Sequence, residues 1–258
     1  MEKIIERKNK PINEEEICKR VLPICENDAD REYVFAHRFR FSFIFSKMLP
    51  KIKPGMCVAN IGISVFDPFI KEIIEELSAS YFNLVPNSEF TNRLHNSNFD
   101  NLNTQILDVC SPNPQLKGNH LFDIVLFYET MEHLLAPDEL IIKNISNILN
   151  SHGKLMGSVP NALSIGRRID VILGKNVHWP KKDIVSGVFG GYGHIREYAK
   201  YEIKNLLLNE FRYIQLYGYS PYGKYIRYLT RFLPTSFRSI IFFDATKAID
   251  RWERNYEL

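Results

Sequence analysis

Residues 122–161, "FDIVLFYETMEHLLAPDELIIKNISNILNSHGKLMGSVPN", decide the fold class of this chain. The stretch starts with the most apolar strand-like run of the sequence, at 122–128. Residues 136–138 then open a helix with its apolar residues on one face, Gly153 is expected to end it, and "KLMGSV" is the next strand. A buried strand, a helix and a second buried strand in this order are typical of a parallel sheet with helices on both faces.

Further strand and helix segments extend this alternation in both directions. Upstream, "MCVANI", "YFNLV" and "TQILDV" predict three strands, with helices at 67–77 and from about residue 87 between them. An aromatic-rich helix that runs to about Met48 precedes them, and Asp28 or Asp30 is expected to cap it. Downstream, "AKYEIKNLLLNEF" predicts a helix, while "RYIQLYGY" and "SIIFFDATK" predict two more strands. The whole pattern predicts an α/β fold.

The stretch "VANIGISVFDPF", residues 58–69, occupies the turn between the first strand and the first helix of the sheet. Ligands of open parallel sheets bind beyond the carboxyl ends of the strands, so this turn, Asp108 and residues 128–133 are expected along one rim. Turns that hold a nucleotide are usually rich in glycine, because glycine lets the backbone approach a ligand and adopt positive φ. This turn contains a single glycine, Gly62.

Composition and charge are those of a soluble globular protein. The chain has 258 residues, 45% of them hydrophobic and 24% charged, and its net charge of +3 is too small to indicate nucleic-acid binding. Its four cysteines show no metal-binding spacing, so a reducing cytoplasm is the simplest setting. The charged N-terminus has no signal-peptide core, and no apolar run reaches transmembrane length.

Residues 161–199 predict a lid over an acceptor pocket. The segment has a short helix near 163–173 and carries six glycines, and a stretch of this kind in a compact domain is usually functional or disordered. Basic residues accompany the glycines: Arg167, Arg168, Lys175, His178, Lys181 and Lys182. They are either a solvated face or the binding surface for an acceptor that carries phosphate, and both interpretations stay open.

The quoted segments resemble the class I S-adenosylmethionine-dependent methyltransferases. An apolar strand, E-H-L, a helix, a G-K-L strand, P-N, and then G-H-x-R-x-Y before a helix follow the order of that family. The resemblance covers the chain from about residue 40 to the end of "FRYIQLYGY", and is strongest for the subgroup that modifies small molecules and sugars in natural-product and surface-glycan pathways. It implies a doubly wound, mostly parallel seven-stranded sheet of the Rossmann-like methyltransferase type, with N-terminal helices and a lid insertion.

The resemblance also implies a division of the chain. We expect an N-terminal helical arm at 1–50 and a methyltransferase domain at 51–258 that contains the lid at 161–199 and a C-terminal extension at 219–258. S-adenosylmethionine is the implied cofactor. A small-molecule acceptor, such as a sugar, a nucleotide-sugar or a phosphorylated metabolite, is the implied partner. Membrane contact is not expected, and a homodimer stays open.

The turn at 58–69 departs from the family pattern of an acidic residue followed by several glycines. Asn60 takes the acidic place, Gly62 is kept, and Ser64 takes the next glycine place, while Val65 and Phe66 add bulk. The carboxamide of Asn60 can still accept a hydrogen bond from the cofactor's ammonium group. Ser64 can still offer a backbone N–H and a hydroxyl.

The acidic residue that would hold the cofactor's ribose is also missing, because its place falls near Val85. Asn83, Asn87 or Glu89 are the alternatives for this role. Asp108 keeps the place that contacts the adenine amino group in the family. The predicted cofactor-binding residues are Asn60, Gly62, Ser64, Asn87, Asp108, Val109, Tyr128 and Glu129.

Three residues are predicted to be catalytic, namely Glu132, His133 and His194. His194 lies between the glycine run and a helix, where a neutral imidazole can take a proton from a hydroxyl; alternatively, it belongs to a structural turn. Glu132 and His133 act beside the methyl-transfer site or organise the turn that contains them. The predicted acceptor-binding residues are Arg196, Tyr192, Arg167 and His178, and Arg196 is alternatively a structural residue that bonds carbonyls. No metal site is expected, because no two histidines share a short spacing.

Two hypotheses about function follow. The first is an S-adenosylmethionine-dependent methyltransferase that methylates an oxygen, or less readily a nitrogen, of a small polar and anionic acceptor in surface-polysaccharide biosynthesis. The second is a binding or scaffolding protein that keeps the fold but has lost the cofactor site, as the altered turn suggests. Methylation of nucleic acid is not indicated, since the sequence has no N/D-P-P-Y/F motif.

Overall fold

The structure, a computed structural model, describes residues 11–87, 101–116, 121–185, 193–221, 228 and 230–247. The strands are β1 (Cys57–Ile61), β2 (Ser80–Val85), β3 (Thr104–Ile106), β4 (Phe122–Tyr128), β5 (Leu149–Pro160), β6 (Phe211–Tyr219) and β7 (Ile240–Lys247). They form a seven-stranded sheet in the order β3-β2-β1-β4-β5-β7-β6, in which β7 runs antiparallel to both of its neighbours. The predicted doubly wound, mostly parallel α/β fold is confirmed.

The chain divides into two compact units, Met1–Ile106 and Leu107–Leu258. The first unit contains the parallel strands β1, β2 and β3. Its helices are α1 (Glu14–Val21), α2 (Asp28–Met48) and α3 (Asp67–Glu76). Arg20 of α1 bonds Glu72 at 2.6 Å and Glu76 at 3.0 Å, which ties the N-terminal helix to α3. The expected helix from about residue 87 lies outside the described residues.

The second unit contains β4 and β5 in parallel, followed by β7 and β6. Its helices are α4 (Asp138–Asn147), α5 (Ile165–Ile172), α6 (Lys181–Val185) and α7 (Lys200–Leu208). Apolar residues of α4, among them Ile141, Ile142 and Ile145, are buried, as the helical spacing predicts. Among the described residues, no helix has both the length and the apolar character that a membrane crossing needs.

Two predicted helix ends are wrong in detail. Asn27, rather than Asp28 or Asp30, caps α2, because its side chain accepts a hydrogen bond from the backbone N–H of Asp30 at 2.8 Å. Gly153 does not end α4, which stops at Asn147. The strand β5 begins immediately afterwards, at Leu149, and carries Gly153 within it.

Gly157 in β5 gives a prediction about stability. A Cβ atom at this position would overlap the ring of Phe243 and the carbonyl oxygen of Phe127, which belong to packed neighbours in the sheet. We expect Gly157→Ala to lower the free energy of unfolding by about 1–3 kcal/mol, the usual cost of overpacking a core. Gly166→Ala is the matched control, since a Cβ atom there meets nothing within 4 Å. Urea denaturation measures both variants, and equal midpoints would contradict the packing described for Gly157.

Candidate active site

Gly62 follows β1 in the first unit and adopts a φ of 108°. Its backbone N–H donates a hydrogen bond to the carbonyl oxygen of Leu84 at 3.2 Å, at the end of β2. Residues with side chains rarely adopt such a φ, so this position requires glycine for a reason of backbone geometry.

Asp67, the first residue of α3, organises the turn after β1 from within. Its carboxyl group is completely buried and accepts hydrogen bonds from the backbone N–H of Ser64 at 2.6 Å, from Nδ2 of Asn60 at 3.0 Å and from the Tyr81 hydroxyl at 3.1 Å. Burial raises the pKa of Asp67 to about 7, while the hydrogen bonds from Ser64, Tyr81 and Asn83 oppose the rise. Asp67 was not among the predicted site residues, although an acidic residue at the start of the helix was a signal for it.

The hydrogen bonds to Asp67 reduce the number of polar groups in the turn that are open to a ligand. Nδ2 of Asn60 and the N–H of Ser64 are both used by Asp67, and the Ser64 hydroxyl accepts from the N–H of Phe66 at 3.2 Å. The cofactor-binding roles of Asn60 and Ser64 therefore stay predictions. Phe66 is buried and stacks on Phe41 with ring centroids 3.5 Å apart, so its bulk enters the core of the first unit.

The two asparagines considered for the ribose differ in exposure. Asn83 is completely buried and lies beside Tyr81 and Asp67, so its side chain cannot reach a ribose in this arrangement. Asn87 is exposed at the end of a described stretch, and its role in cofactor binding stays a prediction. Glu89 lies outside the described residues.

In the second unit, Asp108 shapes a turn shortly after the unit begins. Its Oδ1 accepts a hydrogen bond from the N–H of Cys110 at 2.9 Å. The buried Asn144 of α4 holds the same turn by donating to the carbonyl oxygens of Val109 and Ser111, each at 2.9 Å. The side chain of Val109 is buried, so a contact from Val109 to a cofactor would have to come from its backbone.

The end of β4 is fixed in an unusual conformation. Glu129 has a φ of 49°, in the left-handed region, which costs energy for a residue with a side chain. Its N–H donates to the carbonyl oxygen of Ser158 at 2.9 Å, and its Oε1 accepts from the Ser158 hydroxyl at 2.8 Å. Burial raises the pKa of Tyr128 and so favours the neutral phenol.

The structure brings the three predicted catalytic residues together. Glu132 and His133 lie in the 3₁₀ turn Met131–His133, which follows β4. His194 lies near the C-terminal end of the predicted lid and contacts them from there. One donor atom from each side chain lies within 4.8 Å of the other two. The rings of His133 and His194 meet edge to face with centroids 4.9 Å apart, and the N–H of Ile195 donates to the carbonyl oxygen of Glu132 at 2.8 Å.

Glu197 anchors this cluster, and sequence analysis missed it. Its Oε1 accepts from Arg167 at 2.7 Å and from the indole N–H of Trp179 at 2.9 Å, and lies 3.6 Å from Nδ1 of His194. Burial alone would raise the pKa of Glu197, but the contacts with His194, Trp179 and Arg167 outweigh it and hold the pKa below its usual value. The charge of Arg167, predicted to bind the acceptor, is thus already met by a carboxylate.

Arg196 is likewise engaged by carboxylates. It donates to Asp138 at 3.0 Å and to Glu202 at 2.5 Å, and the hydroxyl of Tyr198 also donates to Asp138 at 2.9 Å. These bonds join the segment before α7 to the start of α4. They agree with the structural alternative for Arg196, except that its partners are carboxylates and not the expected carbonyls. A role for Arg196 in acceptor binding stays a prediction.

A cavity of about 260 Å³ lies beside the cluster. Its lining consists of Ala162, Arg167, Val177, His178, Trp179, Ile184, His194, Ile195, Arg196 and Glu197. Three of the four predicted acceptor-binding residues are among them. The fourth, Tyr192, lies outside the described residues, as do 186–191 of the predicted lid.

Comparisons with known proteins agree with the fold. No protein-family model matches the sequence, and no curated protein matches it. A SAM-dependent methyltransferase from Archaeoglobus fulgidus is 13% identical, with 84% of this chain and 99% of that one covered and a TM-score of 0.52. A SAM-dependent methyltransferase of Thermotoga maritima, described as a possible histamine N-methyltransferase, is 16% identical (85% and 95% covered, TM-score 0.51).

A third solved structure, an S-adenosylmethionine-dependent methyltransferase from Mesorhizobium loti, is 13% identical, with 82% of this chain and 98% of that one covered and a TM-score of 0.52. Each of the three is covered almost completely. The chain therefore has the fold of the S-adenosylmethionine-dependent methyltransferases.

Proposed function

We propose that this protein is an S-adenosylmethionine-dependent methyltransferase that methylates an oxygen of a small polar acceptor. The observation that carries the proposal is the convergence of Glu132, His133 and His194 beside the cavity, within a methyltransferase fold. This arrangement offers proton-transfer groups next to a space that an acceptor can occupy.

Each unit contains a residue whose chemistry suits the cofactor. In the first unit, Gly62 has the positive φ and the missing side chain that a close backbone approach requires. In the second unit, the half-buried Asp108 offers a carboxylate to an amino group. When bound, S-adenosylmethionine supplies a methyl group whose carbon–sulfur bond breaks, with the electron pair left on sulfur, as an acceptor lone pair forms the new bond. The chain's own task is to align the acceptor and to remove its proton.

His194 is the residue that we assign to the proton. Its Nδ1 faces Glu197 and its ring packs edge to face against Trp179, with centroids 5.0 Å apart, so the imidazole is held in one orientation. Nε2 is then the nitrogen that takes the proton from an acceptor hydroxyl. The Glu197 carboxylate stabilises the imidazolium that forms.

The cavity favours an acceptor the size of a sugar unit. Its volume of about 260 Å³ is below the 300–1,000 Å³ typical of pockets that enclose drug-sized ligands. His178 and the two arginines can bond hydroxyl or phosphate oxygens, and the ring of Trp179 offers an apolar wall, although Glu197, Asp138 and Glu202 offset the positive charge. We propose a sugar, a nucleotide-sugar or a phosphorylated precursor of a surface polysaccharide, with its sugar part in the cavity.

A scaffolding protein without cofactor is the second candidate. The bonds from Asn60 and Ser64 to Asp67 favour it, because they use donors that a cofactor could have met. Titration calorimetry with S-adenosylmethionine and S-adenosylhomocysteine separates the two candidates. A methyltransferase is expected to bind both ligands. Absence of binding heat at millimolar ligand would rule out the methyltransferase and favour the scaffolding protein.

Asp108→Ala tests the adenine contact. We expect cofactor binding to weaken by about 1.5–3 kcal/mol, as for a lost hydrogen bond to a charged group. Asp170→Ala is the control, because it also removes one negative charge but only from an ion pair with Lys175 on the surface. Calorimetry on both variants measures the difference. Equal affinity in the two would remove Asp108 from the cofactor site.

A further inference from the structure

We propose that Glu132, His133 and His194 form a binding site for a divalent transition-metal ion, held by two imidazole nitrogens and one carboxylate. The two histidines are 61 positions apart in sequence, which is why spacing gave no sign of the site. Zn²⁺, Co²⁺ and Fe²⁺ are ions of this class that such a donor set can hold.

The donor atoms are close to the distances that a metal requires. All three lie within 4.8 Å of one another, and Nε2 of His133 is 3.9 Å from Oε1 of Glu132. Tetrahedral ligands at zinc bond lengths are about 3.4 Å apart. The donors therefore need to approach by about 1.4 Å or less, which side-chain rotation can provide.

The orientation of His194 follows the pattern of metal-bound histidines. Such a histidine usually donates its second N–H to a carboxylate, which fixes the tautomer and makes the other nitrogen a better ligand. Oε1 of Glu197 lies 3.6 Å from Nδ1 of His194, slightly beyond hydrogen-bond distance, so a small approach on metal binding completes this contact and leaves Nε2 for the ion. The bonds from Arg167 and Trp179 hold Glu197 in this place.

The position of Glu132 favours a cation as well. Its side chain is only 1% exposed, so a bond from its carboxylate to an ion would be shielded from bulk water. The side chain of His133 is 35% exposed, so an ion can enter from solvent on that side. Three protein ligands leave at least one coordination position for water or for an oxygen of a ligand.

A metal ion at this site would change the role of His194. As a ligand, His194 holds the ion and no longer takes the proton. The ion lowers the pKa of a bound acceptor hydroxyl, the proton passes to solvent, and the oxygen keeps the electron pair that forms the bond to carbon. This role rests on the proposed methyl transfer, whereas metal binding itself does not.

The test is a titration of chelator-treated full-length protein with Co²⁺, followed by visible absorption. We expect one Co²⁺ per chain, displaced by Zn²⁺ but not by Mg²⁺, which prefers oxygen ligands. His133→Ala, His194→Ala and Glu132→Gln should each weaken binding more than about 100-fold, and Glu197→Gln about 10–100-fold. His152→Ala, which removes an exposed histidine outside the cluster, should bind like the parent.

The outcomes are separate from those of the proposed function. Absence of a saturable Co²⁺ spectrum, or an unchanged spectrum in the three ligand variants, overturns the metal site. Circular dichroism checks that the variants fold. If the alanine variants do not fold, Glu132→Gln still tests the site, because glutamine keeps the shape of the buried side chain. Calorimetry with S-adenosylmethionine on the same samples tests the methyltransferase proposal independently.

Discussion

Turnover is expected to fall about 10²–10⁴-fold when His194 is replaced by alanine, the usual scale for loss of a general acid or base. A comparable loss follows if His194 holds a metal ion that activates the acceptor. Affinity for S-adenosylmethionine should hardly change, because His194 lines the acceptor cavity. The assay needs an acceptor, which a screen of sugars, sugar phosphates and nucleotide-sugars would supply.

His178→Ala is the matched control, since His178 lines the same cavity but is not part of the cluster. It should raise the Michaelis constant for the acceptor and leave the turnover number nearly intact. If His194→Ala keeps full turnover from pH 6 to pH 9, His194 is structural. The reaction would then depend on alignment alone or on Glu132 and His133.

Loss of cofactor binding is expected when Gly62 is replaced by valine. Valine is disfavoured at a φ of 108°. Its side chain would also occupy the space through which the backbone has to approach S-adenosylmethionine. Calorimetry should detect no S-adenosylmethionine binding, while the far-UV spectrum of the sheet is retained.

Gly55→Val separates strain from blockage. Gly55 has a φ of 81° in the same unit, just before β1, and a Cβ atom there meets nothing within 4 Å. This variant carries similar backbone strain, so it should lose stability but still bind S-adenosylmethionine. If Gly62→Val binds as tightly as Gly55→Val, the cofactor does not lie against this turn.

Much of the fold could be predicted from local patterns. The apolar run of β4 and the one-sided helix α4 are regular over enough residues for periodicity to identify them. The end of α4 could not be placed from Gly153, because the chain enters β5 four residues before that glycine. A side chain at Gly153 would lie within 3 Å of the Leu149 side chain, so this glycine answers to packing within the strand and not to a helix end.

The site was predictable only in part, because its decisive contacts join distant segments. Glu132, His133 and His194 could be selected by residue type and position, but their meeting depends on how the segment before α7 returns to the end of β4. Glu197 looked like an ordinary charge in a polar stretch. Its importance comes from three partners that converge on it in space.

The buried carboxyl group of Asp67 has a consequence for recognising related proteins from sequence. In this turn the Asn60 side chain and the Ser64 backbone N–H both donate to the Asp67 carboxylate, so one buried acidic side chain holds a backbone shape that repeated glycines would otherwise allow. The sequence signature of such a turn is N-x-G-x-S-x-x-D, with one obligatory glycine. Searches built on glycine-rich patterns would pass over chains of this kind, whereas this polar pattern between a strand and a helix would select them.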